Sequence, residues 1–168
     1  GVLKSEPMRC GGCGAKVGAT ALARVLDRLS PHNANANALA LDARDDAAVI
    51  VPPAGQMLVQ SVDFFRAFIG DPYVFGRIAA NHALGDIYAM GGTPLSALAI
   101  ATVPYGPEDK VEDDLYQMLR GGIDVLQDAG ASLIGGHSGE GAELALGFAV
   151  NGTIDGTIDG AVDGAVNG

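Results

Sequence analysis

The chain has 168 residues, the usual length of one domain with a sizeable core. Its composition, 48% hydrophobic and 18% charged, excludes a wholly disordered chain, and no apolar run approaches the ~18 residues of a membrane span. The net charge of −10 disfavours a nucleic-acid partner, because affinity for the phosphate backbone is carried by clustered Lys and Arg. We therefore expect a globular protein that binds neither nucleic acid nor membrane.

The first elements are predicted from hydrophobic spacing. Apolar residues recur at i, i+3, i+4 and i+7 within Ala19–Leu29, which predicts a helix with one apolar face. Two short apolar runs, at residues 47–51 and 57–62, are separated by two prolines and a glycine. That punctuation predicts a pair of strands.

The following elements carry clearer end signals. Asp71 and Pro72 form a helix start, and Gly91 closes the C-terminus of that helix. Residues 95–103 read as a buried strand, and an acidic helix runs from Pro107 to Gly130. Two more strands are predicted at 131–134 and 144–150. This order predicts an α+β fold in which helices cover one face of a mixed β-sheet.

A glycine-rich segment with two thiols and a lysine, RCGGCGAKVG, precedes the first helix. Cys10 and Cys13 could form a redox pair, but no strand precedes them as that motif requires. A zinc site would need a second ligand pair, and the histidines are scattered. Lys16 is preceded by Ala15 and followed by Val17, so it is not a Walker lysine. Two cysteines without a signal peptide are typical of the cytoplasm.

Several carboxylates stand at positions where the surrounding apolar pattern does not predict a solvent-exposed side chain. Asp63 ends an otherwise apolar strand, and Asp86 lies beside the apolar stripe of its helix. Together with Asp45 and Asp46, they lack obvious basic partners and favour a magnesium–phosphate site over ion pairing. The alternative is that these aspartates cap helices and turns.

The segment GGHSGEG, residues 135–141, follows a predicted buried strand. Its two leading glycines predict a bend whose N–H groups could face a phosphate or an adenine ring. A serine hydrolase elbow is excluded because Glu140 stands where the second glycine belongs. His137 could equally be a turn or core histidine.

Five motifs in this order resemble the selenophosphate synthetase (selenide, water dikinase) family: RCGGCGAKVG, ARDDAAVIV, QSVDFF, FGRIAANHALGDIYAMGG and GGHSGEGAELALGFAVNG. The resemblance covers residues 8–152. It implies an aminoimidazole-ribonucleotide synthetase-like (PurM-like) N-terminal domain over 1–152, with a flexible glycine-rich loop at 8–18. Residues 153–168 then form a low-complexity tail where the family has a C-terminal domain.

The resemblance also implies a reaction and a site. The family makes selenophosphate, AMP and phosphate from ATP, selenide and water, using Mg²⁺ and a monovalent cation such as K⁺, and it acts as a homodimer. Cys13 and Lys16 match its catalytic residues, Asp46 and Asp86 match its magnesium ligands, and Cys10 has no such role. The implied nucleotide contacts are Lys16, Ala43, Arg44, Asp45, Asp63, Asp86, Gly136, His137 and Ser138.

Two alternatives remain at this point. Several motifs are shared with relatives such as thiamine-phosphate kinase, in which Cys13 would have no role. The chain could also be a non-catalytic dimerisation or nucleotide-binding module. Because the family's second domain carries a further metal aspartate, we expect little turnover by this chain alone.

Overall fold

The computed structural model describes residues 15–33 and 47–156. They form three helices and four strands, with one 3₁₀ turn. In chain order these are α1 (Ala19–Leu29), the 3₁₀ turn (Ser30–His32), β1 (Gln56–Arg66), α2 (Pro72–Ala89), β2 (Thr93–Pro104), α3 (Glu108–Asp128), β3 (Ser132–Gly141) and β4 (Ala145–Asp155). Within these ranges, none of the helices has the length and apolar character needed to cross a bilayer.

Helix α2 begins and ends as its sequence predicts. The Asp71 side chain accepts a hydrogen bond from the backbone N–H of Val74 at 3.0 Å, and Pro72 occupies the first helical position. Past the last turn, Gly91 adopts a φ of +69°, a left-handed conformation that glycine tolerates best. The predicted helices at all three positions are confirmed.

The four strands form one mixed sheet in the order β1-β4-β2-β3. Strands β2 and β3 are parallel, whereas β4 is antiparallel to both β1 and β2. The helices cover one face, where alternate β2 residues from Ala97 to Val103 are buried. On the other face, Val62, Phe64 and Ile100 are exposed. The predicted α+β class with a one-sided helix layer is confirmed.

Helices α2 and α3 pack unusually close together because a glycine on each helix faces the backbone of the other helix. A Cβ atom added to Gly121 would lie 2.0 Å from the carbonyl oxygen of Tyr73, and one added to Gly76 would lie 1.9 Å from that of Met118. No side chain fits in such a gap. The pair therefore forms a rigid layer over the sheet.

The prediction of a strand at 47–51 is wrong. The structure has no strand there, and Val49 and Val51 are 45% and 57% exposed. Pro52 and Pro53 follow directly and lack the N–H groups that a ladder needs. Strand β1 pairs instead with β4, from Gln56 opposite Asp155 to Arg66 opposite Ala145.

Strand β1 runs to Arg66, past its predicted end at 62, so Asp63 lies inside the strand and the prediction that it ends the strand is wrong. Two further boundaries differ from the predictions. The segment 135–141 is not a bend, because β3 stays paired with β2 through Gly141; a register shift between Ala97 and Leu98 absorbs the irregularity at its glycines. Strand β4 continues to Asp155, so the first three residues of the predicted tail belong to the sheet. Pairing with a neighbouring strand decides both boundaries.

Candidate functional site

One group of polar side chains lies where α2 packs on β1, and we call it the carboxylate half. Ser61 and Asp63 point to the same side of β1, about 7 Å apart along the strand. The Ser61 hydroxyl donates a hydrogen bond to Oδ2 of Asp86 on α2. Tertiary packing thus brings Asp63 and Asp86, both predicted as site residues, to the same side of one strand.

His82 belongs to the same half. It lies one helical turn before Asp86, and its Nε2 atom is 3.7 Å from Oδ2 of Asp63. This is an ion-pair distance, longer than a hydrogen bond. The His82 ring also meets Phe65 edge to face, with ring centroids 4.9 Å apart. The sequence signal for His82 is its i, i+4 spacing to Asp86, which places both side chains on one face of a helix.

A second group, the lysine half, lies at the opposite edge of the sheet. Lys16 forms an isolated backbone bridge with Gly139 of β3, and the N–H of Val17 donates to the carbonyl oxygen of Ser138 at 3.3 Å. Val17 is buried, which anchors the segment. Residues 15–18, part of the predicted flexible loop, are therefore packed on β3, and Lys16 lies beside His137 and Ser138.

Gly136 has a steric role in this half. Its φ is +150°, and a Cβ atom there would lie 2.0 Å from the carbonyl oxygen of Ala99. Only glycine lets β3 approach β2 this closely. A glycine at this position is therefore required by the sheet itself, whatever the segment binds.

A cavity of about 260 Å³ adjoins the lysine half and is lined by α1, the 3₁₀ turn, α3 and strands β2 and β3. Its walls are mainly apolar, from residues such as Leu26, Ile123 and Leu133. Ser138 lines it, and the buried Ser138 hydroxyl has no hydrogen-bond partner among the described residues. An unsatisfied buried hydroxyl is costly, so it is a natural place for a ligand atom or water.

The two halves are far apart within one chain. Asp63 and Gly136 lie in one row across the sheet, with Phe148 and Ala99 between them. Three strand spacings separate the two by about 14 Å. The structure therefore gathers the predicted residues into two clusters at opposite edges of the sheet.

The remaining predicted residues lie outside the described ranges: Cys10, Cys13, Ala43, Arg44, Asp45 and Asp46. Within those ranges, no three or more His, Cys, Asp or Glu side chains come together as a metal cage. The donors of the carboxylate half nevertheless suit Mg²⁺, which binds one or two carboxylates together with phosphate oxygens and water. The chemistry of Asp63 and Asp86 thus fits a magnesium ion carried on a phosphorylated ligand.

Comparison with known proteins identifies the family. Residues 44–160 match the AIR synthase related protein, N-terminal domain. The chain is 45% identical over 152 residues to the selenide, water dikinase of Desulfitobacterium hafniense (strain Y51), covering 89% of this chain and 44% of that protein. It is 43% identical over 150 residues to that of Clostridioides difficile (strain 630), covering 88% and 42%. The chain therefore spans less than half the length of these relatives.

A solved structure supports the same fold. Thiamine-monophosphate kinase from Stenotrophomonas maltophilia K279a superposes with a TM-score of 0.64 at 22% identity, covering 84% of this chain and 43% of that one. At this identity the likeness concerns the fold alone. The aminoimidazole-ribonucleotide synthetase-like fold and the resemblance to selenide, water dikinases are both confirmed. The chain belongs to the AIR synthase related protein family, of which it carries the N-terminal domain.

Proposed function

We propose that this chain is the ATP-binding domain of a cytoplasmic selenophosphate synthetase, which makes selenophosphate, AMP and phosphate from ATP, selenide and water. The observation that carries the proposal is the placement of Asp63 and Asp86 on the same side of β1, where Ser61 contacts Asp86 and His82 contacts Asp63. The selenide, water dikinases at 43–45% identity supply the substrate class.

Electrostatics favours a metal-bound nucleotide at the carboxylate half. ATP carries about four negative charges, which two aspartates would repel unless a cation stood between them. Asp86 and Asp46 are the proposed ligands of Mg²⁺, which would neutralise phosphate charge, and a monovalent cation such as K⁺ belongs to the same proposal. Lys16 would act as a point charge on phosphate. Ala43, Arg44 and Asp45 are proposed to contact the nucleotide.

Cys13 is the proposed nucleophilic thiol of the reaction. It lies three residues before Lys16, and a nearby cation lowers the pKa of a thiol and raises its thiolate fraction. A thiolate is the form that reacts with or holds selenium. Cys10, six residues from Lys16, has no role in this proposal.

We further propose that two chains complete each site. Because the halves lie about 14 Å apart within one chain, a single chain does not offer Lys16 and Asp86 to one phosphate group. A two-fold axis parallel to the strands would stack two sheets so that the β1 edge of one lies over the β3 edge of the other. Because β1 is an edge strand, Gly136, His137 and Ser138 of one chain would then lie beside that edge of the partner and complete its carboxylate half around the edge, twice per dimer.

The face of the sheet away from the helices suits such pairing. Val62 and Phe64 are 60% and 52% exposed, and Leu58 and Ile100 are also exposed on this face. Small residues stand between them, so the surface is flat. Gln60, Asn151 and Ser96 form a hydrogen-bonded polar row across it, in which both the oxygen and the nitrogen of the Asn151 amide have a partner. An apolar sheet face of this kind is typical of an interface.

The dimer can be tested by placing a charge on this face. Val62→Glu is expected to convert a dimer of the chain into a monomer, because a buried unpaired carboxylate is costly. Ile78→Glu, at a similarly exposed apolar site on α2, should leave the dimer intact. Light scattering at micromolar concentration measures both. A monomeric wild-type chain would contradict the proposal.

The magnesium assignment predicts a loss of affinity without a loss of stability. Asp86→Asn and Asp46→Asn should each weaken binding of a non-hydrolysable ATP analogue in Mg²⁺ by about tenfold or more, because each removes a hard anionic ligand. The melting temperature should barely change. Asp109→Asn, an exposed acid on α3, is the control. Calorimetric titration and thermal melts check both. Unchanged affinity with lowered stability would make the aspartates structural.

The reaction is best tested in a chimeric protein. Residues 1–155 of this chain, which include all of β4, replace the matching segment of the Desulfitobacterium hafniense relative, which supplies the rest of the enzyme. We expect AMP release from ATP to depend on selenide. Phosphorylation of thiamine monophosphate with no response to selenide would instead support a related kinase.

Within that chimera the two cysteines form a matched pair. Cys13→Ser should reduce selenide-dependent AMP release by about 100-fold or more, because a hydroxyl is a far poorer nucleophile than a thiolate at neutral pH. Cys10→Ser should keep most of the activity. An equal loss in both variants would indicate that the cysteines act as one unit, as in a metal-binding or redox pair.

A further inference from the structure

Contacts between α2 and β1 follow a regular pattern in the carboxylate half. The strand presents Ser61, Asp63 and Phe65 toward the helix at every second position. Asp86 meets Ser61, and His82, one turn earlier, meets both Asp63 and Phe65. Each aspartate is therefore contacted by a neighbour from the other element.

Each contact engages one oxygen of its carboxylate. Ser61 holds Oδ2 of Asp86, and His82 lies against Oδ2 of Asp63. Within the described part of the chain, Oδ1 of each aspartate is left for a ligand. Two carboxylates that each have one oxygen held and one oxygen available are oriented for a shared charged ligand.

The His82 ring is held in place, although it is largely open to solvent. The side chain is 62% exposed, and that of Asp63 is 29% exposed. Phe65 packs edge to face against the ring and restricts its rotation. Exposed charge pairs of this kind contribute little to folding, so orientation of the carboxylate is the more important consequence.

We propose that His82 is a positioning residue of the nucleotide site, holding the Asp63 carboxylate so that Oδ1 faces the ligand. The proposal rests on the function proposed above. It adds a residue that acts through Asp63 and is not itself a ligand of the nucleotide or metal.

The test compares replacements of His82 that distinguish the effect of its nitrogen contact with Asp63 from the effect of its size. His82→Leu keeps an apolar side chain against Phe65 but removes the nitrogen, and it should weaken binding of the Mg²⁺ complex of an ATP analogue by about fivefold to tenfold. His82→Gln places an amide nitrogen near the position of Nε2 and should restore affinity to within about twofold. The melting temperature should be the same in both. His32→Leu, at the exposed histidine of the 3₁₀ turn, is the control.

A second measurement does not depend on nucleotide binding. In the ligand-free chain at one fixed pH, Asp63→Asn should shift the ¹⁵N resonance of His82 Nε2, while that of His32 stays unchanged. If wild type fails to bind the nucleotide, the proposed function fails and this measurement still decides the contact. An unshifted His82 resonance, or full affinity in His82→Leu, would overturn the proposal.

Discussion

Gly121→Ala is expected to lower the free energy of unfolding by about 3 kcal/mol, at the upper end of the cost of overpacking. The new methyl group would lie 2.0 Å from the carbonyl oxygen of Tyr73, so α2 and α3 must move apart. The better helix propensity of alanine offsets only about 1 kcal/mol of the destabilisation that the steric clash causes. For a chain of this length the net loss corresponds to about 6–12 °C in melting temperature.

Gly85→Ala is the matched control, because Gly85 is also in a helix but has no heavy atom within 4 Å of its added Cβ. That variant should be neutral or more stable by up to about 1 kcal/mol. Gly76→Ala, with its methyl 1.9 Å from the Met118 carbonyl oxygen, should resemble Gly121→Ala. Thermal or urea unfolding distinguishes the three. Wild-type stability in Gly121→Ala would contradict the backbone contact between the helices.

Mixing two inactive variants is expected to restore activity, since the proposed site takes the lysine half from one chain and the carboxylate half from its partner. In the chimera, Lys16→Ala and Asp86→Asn should each reduce selenide-dependent AMP release by about 100-fold, because each removes charge stabilisation of the transferring phosphoryl group. Random mixing yields half heterodimers, each with one intact site of two. About a quarter of wild-type activity should therefore return.

The control mixes two variants of the same half. Asp63→Asn with Asp86→Asn leaves every site in every dimer with one damaged carboxylate half, so no activity should return. Native mass spectrometry checks that heterodimers form in both mixtures. If heterodimers form and the Lys16→Ala with Asp86→Asn mixture stays inactive, the lysine and carboxylate halves act within one chain.

The sequence predicts candidate residues by their type but does not predict how they are arranged. Asp63 and Asp86 stood out because a carboxylate directly after an apolar run, or beside an apolar helix stripe, needs a partner. Ser61 and His82 gave no comparable signal, since an isolated serine or histidine is ordinary in any sequence. Their contacts arise because α2 packs on β1 and brings together side chains that are 17 or more positions apart.

Sequence by itself determined the helices, because their signals are local. The apolar period of α1, the cap formed by Asp71 and Pro72, and the glycines that follow α2 and α3 all act within a few residues. The strands depend less on local signals, because a strand forms only where another strand pairs with it. Residues 47–51 are as apolar as a strand but have no pairing partner among the residues that the structure describes, whereas the glycine-rich 135–141 becomes a strand because β2 supplies one.

Only the tertiary structure decided the order β1-β4-β2-β3, and with it the division of the site. A strand's place in a sheet depends on pairings between residues far apart in the chain, which hydrophobic spacing does not encode. That order puts Asp63 and Gly136 in one row but at opposite edges, with the core residue Phe148 between them. The sequence determined which groups are candidates for the chemistry, and the strand order decided that one chain holds them as two separate halves.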